Sequence, residues 1–191
     1  TSGRFYNYPL DEAFRARERV NPNDLIVAAP VLEDRNGYVW VAVASLITNT
    51  IEVPFPATLV RLDPRTGEWT DLRYGTGEAP ALVSVFLRGI CIFDFALRED
   101  SRGHVWIGGP RGGGLTRWDP ATDSFTHYDR ASANLPGDTI TALHVDRSGR
   151  LWAGGNHGLA RYDPGAGAFE TFTSRNTALP APYRDFILDI N

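Results

Sequence analysis

The sequence predicts an all-β protein, a β-propeller of four-stranded antiparallel blades, and three observations carry the prediction. The first is an internal repeat: EDSRGHVWIGGPRGGGLTRWDPATDSF at 99–125 returns as VDRSGRLWAGGNHGLARYDPGAGAF at 145–169, and more loosely as EDRNGYVWVAV at 33–43 with LVRLDPRTGEW at 59–69. The second is the period. Trp106 and Trp152 are 46 residues apart and Asp119 and Asp163 are 44, which suits a four-stranded blade better than a helical hairpin. The third is composition: 19 Gly and 13 Pro between short apolar runs demand many turns, while 42% apolar residues suffice for a packed core.

The elements follow from the clearest copy. A β-prone first strand at 140–145 ends in the Asp146-Arg-Ser-Gly149 turn, where glycine supplies a positive φ. The second strand, at 150–154, carries Trp152, and the third lies at 159–162. Asp163-Pro164 then opens a turn, because proline has no N–H to give a central strand, and a fourth strand at 168–173 carries Phe169 and Phe172. The same four strands recur near 93–99, 104–109, 114–118 and 124–128, and again near 27–33, 38–43, 58–62 and 68–72.

Blades are therefore expected at 24–72, 93–128 and 140–173. Residues 3–8 match 167–172 and read as the outer strand of a preceding blade; residues 185–191 match 94–100 and read as the inner strand of a following one. With blades cut at both ends and no Met in the chain, a piece of a longer protein is expected. Each blade must hide two apolar faces against neighbours. At about 25 cal/mol per Å², leaving on the order of 400 Å² uncovered costs roughly 10 kcal/mol. The expected partners are therefore the remaining blades of a parent chain, or further copies of this one.

Composition also excludes. All 19 basic residues are Arg, they form no block, and the net charge is −4, so nucleic acid is not an expected partner. The longest apolar runs, near 81–86 and 89–97, fall far short of a spanning helix, and no signal peptide is visible. Cys91 is the one cysteine, which rules out an intrachain disulfide, and its neighbours Ile90 and Ile92 predict a small buried residue. No cofactor is expected. The glycines at 108, 109 and 112–114 lack the Gly-Lys-Ser/Thr ending of a phosphate loop, and no helix follows them.

The pattern ED-x-x-G-x-[LV]-W-[IA]-G-G, then G-L-x-R-[YW]-D-P, an aromatic about five residues on, and Leu135-Pro136 or Leu179-Pro180 ahead of the next first strand resembles the two-component regulator propeller repeat. The resemblance covers most of 24–173. It is strong in the second and third copies; the first departs, with Val43 where Gly109 and Gly155 fall and roughly ten inserted residues at 44–57. It implies a periplasmic or extracytoplasmic ligand-sensing domain of a membrane histidine kinase, without catalysis of its own. The implied ligand is a carbohydrate or small metabolite.

A second resemblance, to the streptogramin lyase group, rests on G-x-[LI]-W with an aspartate-proline turn, and would make the chain an enzyme. Proton abstraction would need a base near the axis. The innermost strands align Leu32, Arg98, His144 and Asp189 in one column, and His144 is the obvious base there; a polar strand residue is the plainer reading. A protein-interaction scaffold is a third alternative.

In a four-stranded meander the first and third connections lie at one end and the others at the opposite end. The uniform Asp-x-x-Gly and Asp-Pro turns share one face and read as fold specification. Connections of variable length share the other: 44–57, 110–113 and 156–157, then 73–92, 129–138 and 174–184. Variable loops on a rigid scaffold carry recognition. The candidate ligand residues there are Arg88, Arg111, Asn156, His157, Tyr183 and Arg184, a set suited to hydroxyls or carboxylates. Trp40, Trp106 and Trp152 repeat in register, so they read as core between blades rather than as a sugar-stacking row. Asp63, Asp119 and Asp163 read as caps of Asx turns rather than as calcium ligands.

Overall fold

The computed structural model describes residues 25–46, 55–71, 83–87, 90–93, 96–109, 113–155 and 157–173. Among these, strands form where β-branched and aromatic residues lie between the aspartate turns. The second and third sheets are four-stranded antiparallel meanders: β7 (Ala96–Glu99), β8 (Val105–Gly108), β9 (Leu115–Asp119) and β10 (Ser124–Tyr128), then β11 (Ile140–Val145), β12 (Leu151–Gly155), β13 (Gly158–Asp163) and β14 (Ala168–Phe172). The first sheet holds β1 (Leu25–Glu33), β2 (Val39–Leu46), β3 (Phe55–Leu62) and β4 (Trp69–Asp71) in the same order. The first strands meet across sheets, β1 against β7 and β7 against β11, so the sheets fan outward from them in the manner of propeller blades.

The first sheet departs from the expected pattern. Residues 44–57 and 73–92 were expected as connections, yet β2 runs on to Leu46, β3 starts at Phe55, and a hairpin of β5 (Val83–Leu87) and β6 (Ile90–Phe93) joins the sheet through Phe55↔Ser84 and Pro56↔Val83. The reason is backbone accounting. β4 pairs only the 60–62 end of β3, and the backbone at 55–56 finds its partners in β5. β6 and β7 are separate strands, where one strand near 93–99 was expected. Cys91 lies in β6, with its side chain outside the described residues. The segments 3–8 and 185–191 also lie outside them.

Each first turn is built around its aspartate. Oδ1 of Asp34 accepts the N–H groups of Asn36 and Tyr38 at 2.9 and 3.1 Å; Asp100 does the same for Arg102 and His104, and Asp146 for Ser148 and Arg150. Gly37, Gly103 and Gly149 complete these turns at φ of 80°, 88° and 76°. The other oxygen, Oδ2, accepts the indole N–H of the tryptophan six residues on: Trp40 at 3.0 Å, Trp106 at 2.8 Å and Trp152 at 2.9 Å. One carboxylate thus closes a turn and gives a core indole its hydrogen bond.

The tryptophans fill the seams between sheets. Trp40 packs with Leu59, Leu97, Val105, Ile107 and Trp118, joining the first sheet to the second. Trp106 packs with Leu143, Leu151, Ala153 and Phe169, joining the second to the third. Both are fully buried, and each meets an aromatic of the next sheet edge-on: Trp40 with Trp118 at 5.1 Å and Trp106 with Tyr162 at 4.7 Å. Trp152 is half-buried and finds Phe172 of its own sheet at 5.5 Å. Glycine allows the close approach at the second seam. A Cβ on Gly108 would stand 2.9 Å from Ile140 Cγ2 across that seam, and, within the third sheet, one on Gly155 only 1.9 Å from Thr139 O.

Candidate functional site

The loop face of the third sheet is organised by the connection 129–139. Its Asp-Arg-Ala-Ser start forms a capping box: Asp129 accepts the Ser132 N–H at 2.6 Å, and the Asp129 N–H donates to Ser132 Oγ. That holds one helical turn, α1 (Arg130–Ala133), where the sequence predicted only a loop. The Ser132 backbone bond holds the Asp129 carboxyl below its ordinary pKa. Asn134 ends the turn in the left-handed region at φ 58° and is tied to β14, donating from Nδ2 to Phe169 O at 3.1 Å while its carbonyl accepts from Thr171 Oγ1 at 2.6 Å. Ala133 and Leu135 drop into the core beneath. Arg130 N donates to Asp138 Oδ1 at 2.7 Å, and Gly114 N to Asp138 O at 2.7 Å, so the connection is also fastened to the second sheet.

Between this connection and the start of β13 lies a hollow of about 350 Å³. Arg130, Asn134, His157, Thr171 and Thr173 supply its polar groups, and Leu135 and Pro136 its apolar floor. His157 is exposed and lies against Gly137, where a Cβ would approach its Nδ1 to 2.6 Å. A guanidinium, an amide, an imidazole and two hydroxyls are groups that bind hydroxyls and carboxylates.

Of the six residues singled out from sequence, His157 is in this hollow; Arg88, Arg111, Asn156, Tyr183 and Arg184 lie outside the described residues. Sequence reasoning missed Arg130, Asn134, Thr171 and Thr173. A signal for the first two existed in the capping-box spacing of Asp129 and Ser132, and for the threonines in their alternation with Phe172.

The remaining candidates hold structure together. Asp63, Asp119 and Asp163 each accept a backbone N–H two residues on, at 2.9, 2.9 and 2.8 Å, the Asx-turn geometry. The side chain of Arg65 also bonds Asp63 and lowers its pKa to about 2. In the inner column, Arg98 Nε donates to Leu143 O at 3.1 Å and braces β7 against β11. His144 is half-buried on β11 opposite Trp152, and among the described residues no acid hydrogen-bonds to it.

The third-sheet repeat matches a known family model, the two component regulator propeller, over residues 134–157. No curated protein matches the chain at a significant level. Solved structures similar to it include the extracellular domain of BT4673 from B. thetaiotaomicron, described in one structure as a one component system (14% identity, TM-score 0.44) and in another as a hybrid two component system (15%, 0.45). Each covers 80% of this chain and 22% of that one. The extracellular domain of BT3049 from the same organism, described as a hybrid two component system, gives 14% identity and a TM-score of 0.47 over 76% of this chain and 24% of that one. The chain spans less than a quarter of the length of these structures. The matched residues take in Leu135-Pro136, all of β11, the Asp146 turn and Trp152.

Proposed function

We propose that the chain is a non-enzymatic ligand-sensing module of a two-component signalling receptor, working on the extracytoplasmic side of the membrane, with a carbohydrate or small metabolite as ligand. The observation that carries this reading is the family match at 134–157, a stretch whose two ends, Asn134 to Pro136 and His157, line the loop-face hollow. The fold supports it. The repeated aspartates, tryptophans and glycines are consumed by turns and seams, whereas the polar residues of the hollow belong to one copy only. Among the described residues, no helix is long and apolar enough to cross a membrane. Kinase output would belong to other parts of a receptor. The half-buried face of the third sheet around Trp152 supports a further blade, or another copy of the chain, as partner.

Isothermal titration with neutral and acidic oligosaccharides tests the reading. Saturable heat for at least one sugar, weakened about tenfold in Arg130→Ala/His157→Ala, is the expected result. No binding to any member, together with turnover of a substrate that disappears in His144→Ala, would replace the sensor by a lyase.

A further inference from the structure

The two seams differ at their turn ends. In the first, Arg35 crosses from the first sheet to the second: its N–H donates to Glu99 Oε2 at 2.9 Å, its Nε to Glu99 Oε1, its Nη1 to Ser101 O at 3.0 Å and its Nη2 to Asp100 O. One position after the turn aspartate, the second copy has Ser101 in place of Arg35, and Val145 stands where Glu99 would be needed. Neither half of the clamp exists in the second seam. A cleft of about 240 Å³ opens there instead, lined by Ser101, Arg102, His104, Arg117, Arg150 and Tyr162 among others.

The charges in this cleft do not balance. Arg61, the first-seam counterpart of Arg117, lies over both Tyr38 and Trp118 at 4.8 Å. Those aromatic positions become His104 and Tyr162 in the second seam. Arg117 makes a long contact of 3.4 Å from Nη1 to Tyr162 Oη and lies 5.8 Å from the Trp106 ring, while its Nε is buried with no hydrogen-bond partner among the described residues. A buried guanidinium donor without an acceptor is costly. The neighbouring carboxylates are committed: Asp100 to Trp106 and His104, Asp146 to Trp152 and to Arg150 at 2.6 Å, and Asp119 stands 3.7 Å from His104 Nε2. Arg102, exposed at the rim, adds a further positive charge.

We propose that the cleft between the second and third sheets, on the turn face, binds a small organic carboxylate about the size of one sugar ring, its carboxylate held by Arg117 with Arg102 and the Tyr162 hydroxyl. A planar carboxylate matches the fork of a guanidinium that lines the cleft. Leu151 and Pro164 give the rest of the molecule an apolar wall. The site is separate from the loop-face hollow, so it stands or falls independently of the sensing reading.

Titration calorimetry on the 191-residue chain with glucuronate, glucose, sulfate and phosphate tests it. Glucuronate binds, weakens with added salt, and is lost by about tenfold or more in Arg117→Gln; Arg130→Ala/His157→Ala leaves it unchanged. Because Arg117→Gln also disturbs the Trp106 face, Ser101→Arg/Val145→Glu is the second variant. It rebuilds the first-seam clamp inside the cleft, and abolishes binding while the melting temperature holds or rises. Binding that survives this variant, glucose binding as well as glucuronate, sulfate or phosphate binding in preference to glucuronate, or no binding by any of the four overturns the proposal.

Discussion

Asp100 stands among opposing influences. Burial works to raise its pKa, but hydrogen bonds from Trp106, His104 and the Arg102 N–H together hold it below the ordinary carboxylate value. Asp146 is held far down, chiefly by the Trp152 indole and then by Arg150 and Ser148 against a burial contribution that raises it. A carboxyl whose folded pKa is depressed binds fewer protons in the native state than in the unfolded one. Its stabilisation is complete above the unfolded value of about 4 and is lost as pH falls through the folded value. Urea unfolding midpoints should therefore fall as pH drops below about 4. Asp100→Asn, lacking the titrating group, should flatten that decline while losing about 1–3 kcal/mol at pH 7 through a poorer acceptor for Trp106 Nε1 and the turn N–H groups. The aspartates and tryptophans were legible as landmarks at a constant offset of six. Their bond was not, because sequence spacing alone does not say that the turn folds the carboxylate back onto the indole.

At the scale of the element, turns and strands respond differently to one added methyl group. Gly37 has open space around its Cβ position but φ of 80°, so Gly37→Ala is strained only in its backbone and should cost about 1 kcal/mol. Gly155 sits in a strand with Thr139 O at 1.9 Å from the Cβ position. Gly155→Ala must therefore push β11 off β12, which should cost about 3 kcal/mol or more. Thermal melts of the two variants should rank them in that order, and the reverse would contradict the close pairing of β11 and β12. Arg35 gives the complementary case. Its side chain is 46% exposed and the Glu99 side chain 14%, so solvent screening limits Arg35→Ala to about 1 kcal/mol despite three side-chain hydrogen bonds. The β5–β6 hairpin was the element least legible in sequence, because it occurs once and the repeat gives no template for it. The cleft at the second seam shows only when copies are compared position by position, where Ser101 and Val145 break the pattern set by Arg35 and Glu99.

For the whole molecule, fold class followed from the period, since sheets of one length must stack through the same positions and identical residues recur where they touch. The recognition face was only partly legible. Its groups do not recur, and Arg130 and Asn134 reach the hollow through a helical turn that a loop assignment conceals. The same stacking logic predicts how stability is distributed. Trp106 is buried against Tyr162 of the next sheet, Trp40 against Trp118, but Trp152 is half-buried beside Phe172, with Arg161 5.7 Å from its ring and hydrogen-bonded to Glu170. In this chain Trp106→Ala should cost about 3–5 kcal/mol, as a fully buried indole does, and Trp152→Ala about 1–2 kcal/mol. If the third sheet normally carries a blade on that face, a longer chain supplying one should raise the Trp152→Ala penalty to that of Trp106→Ala and shift Trp152 fluorescence to shorter wavelength. Equal penalties in the 191-residue chain would mean that Trp152 already has its partner. An unchanged penalty in the longer one would mean that the next sheet does not stack on this face.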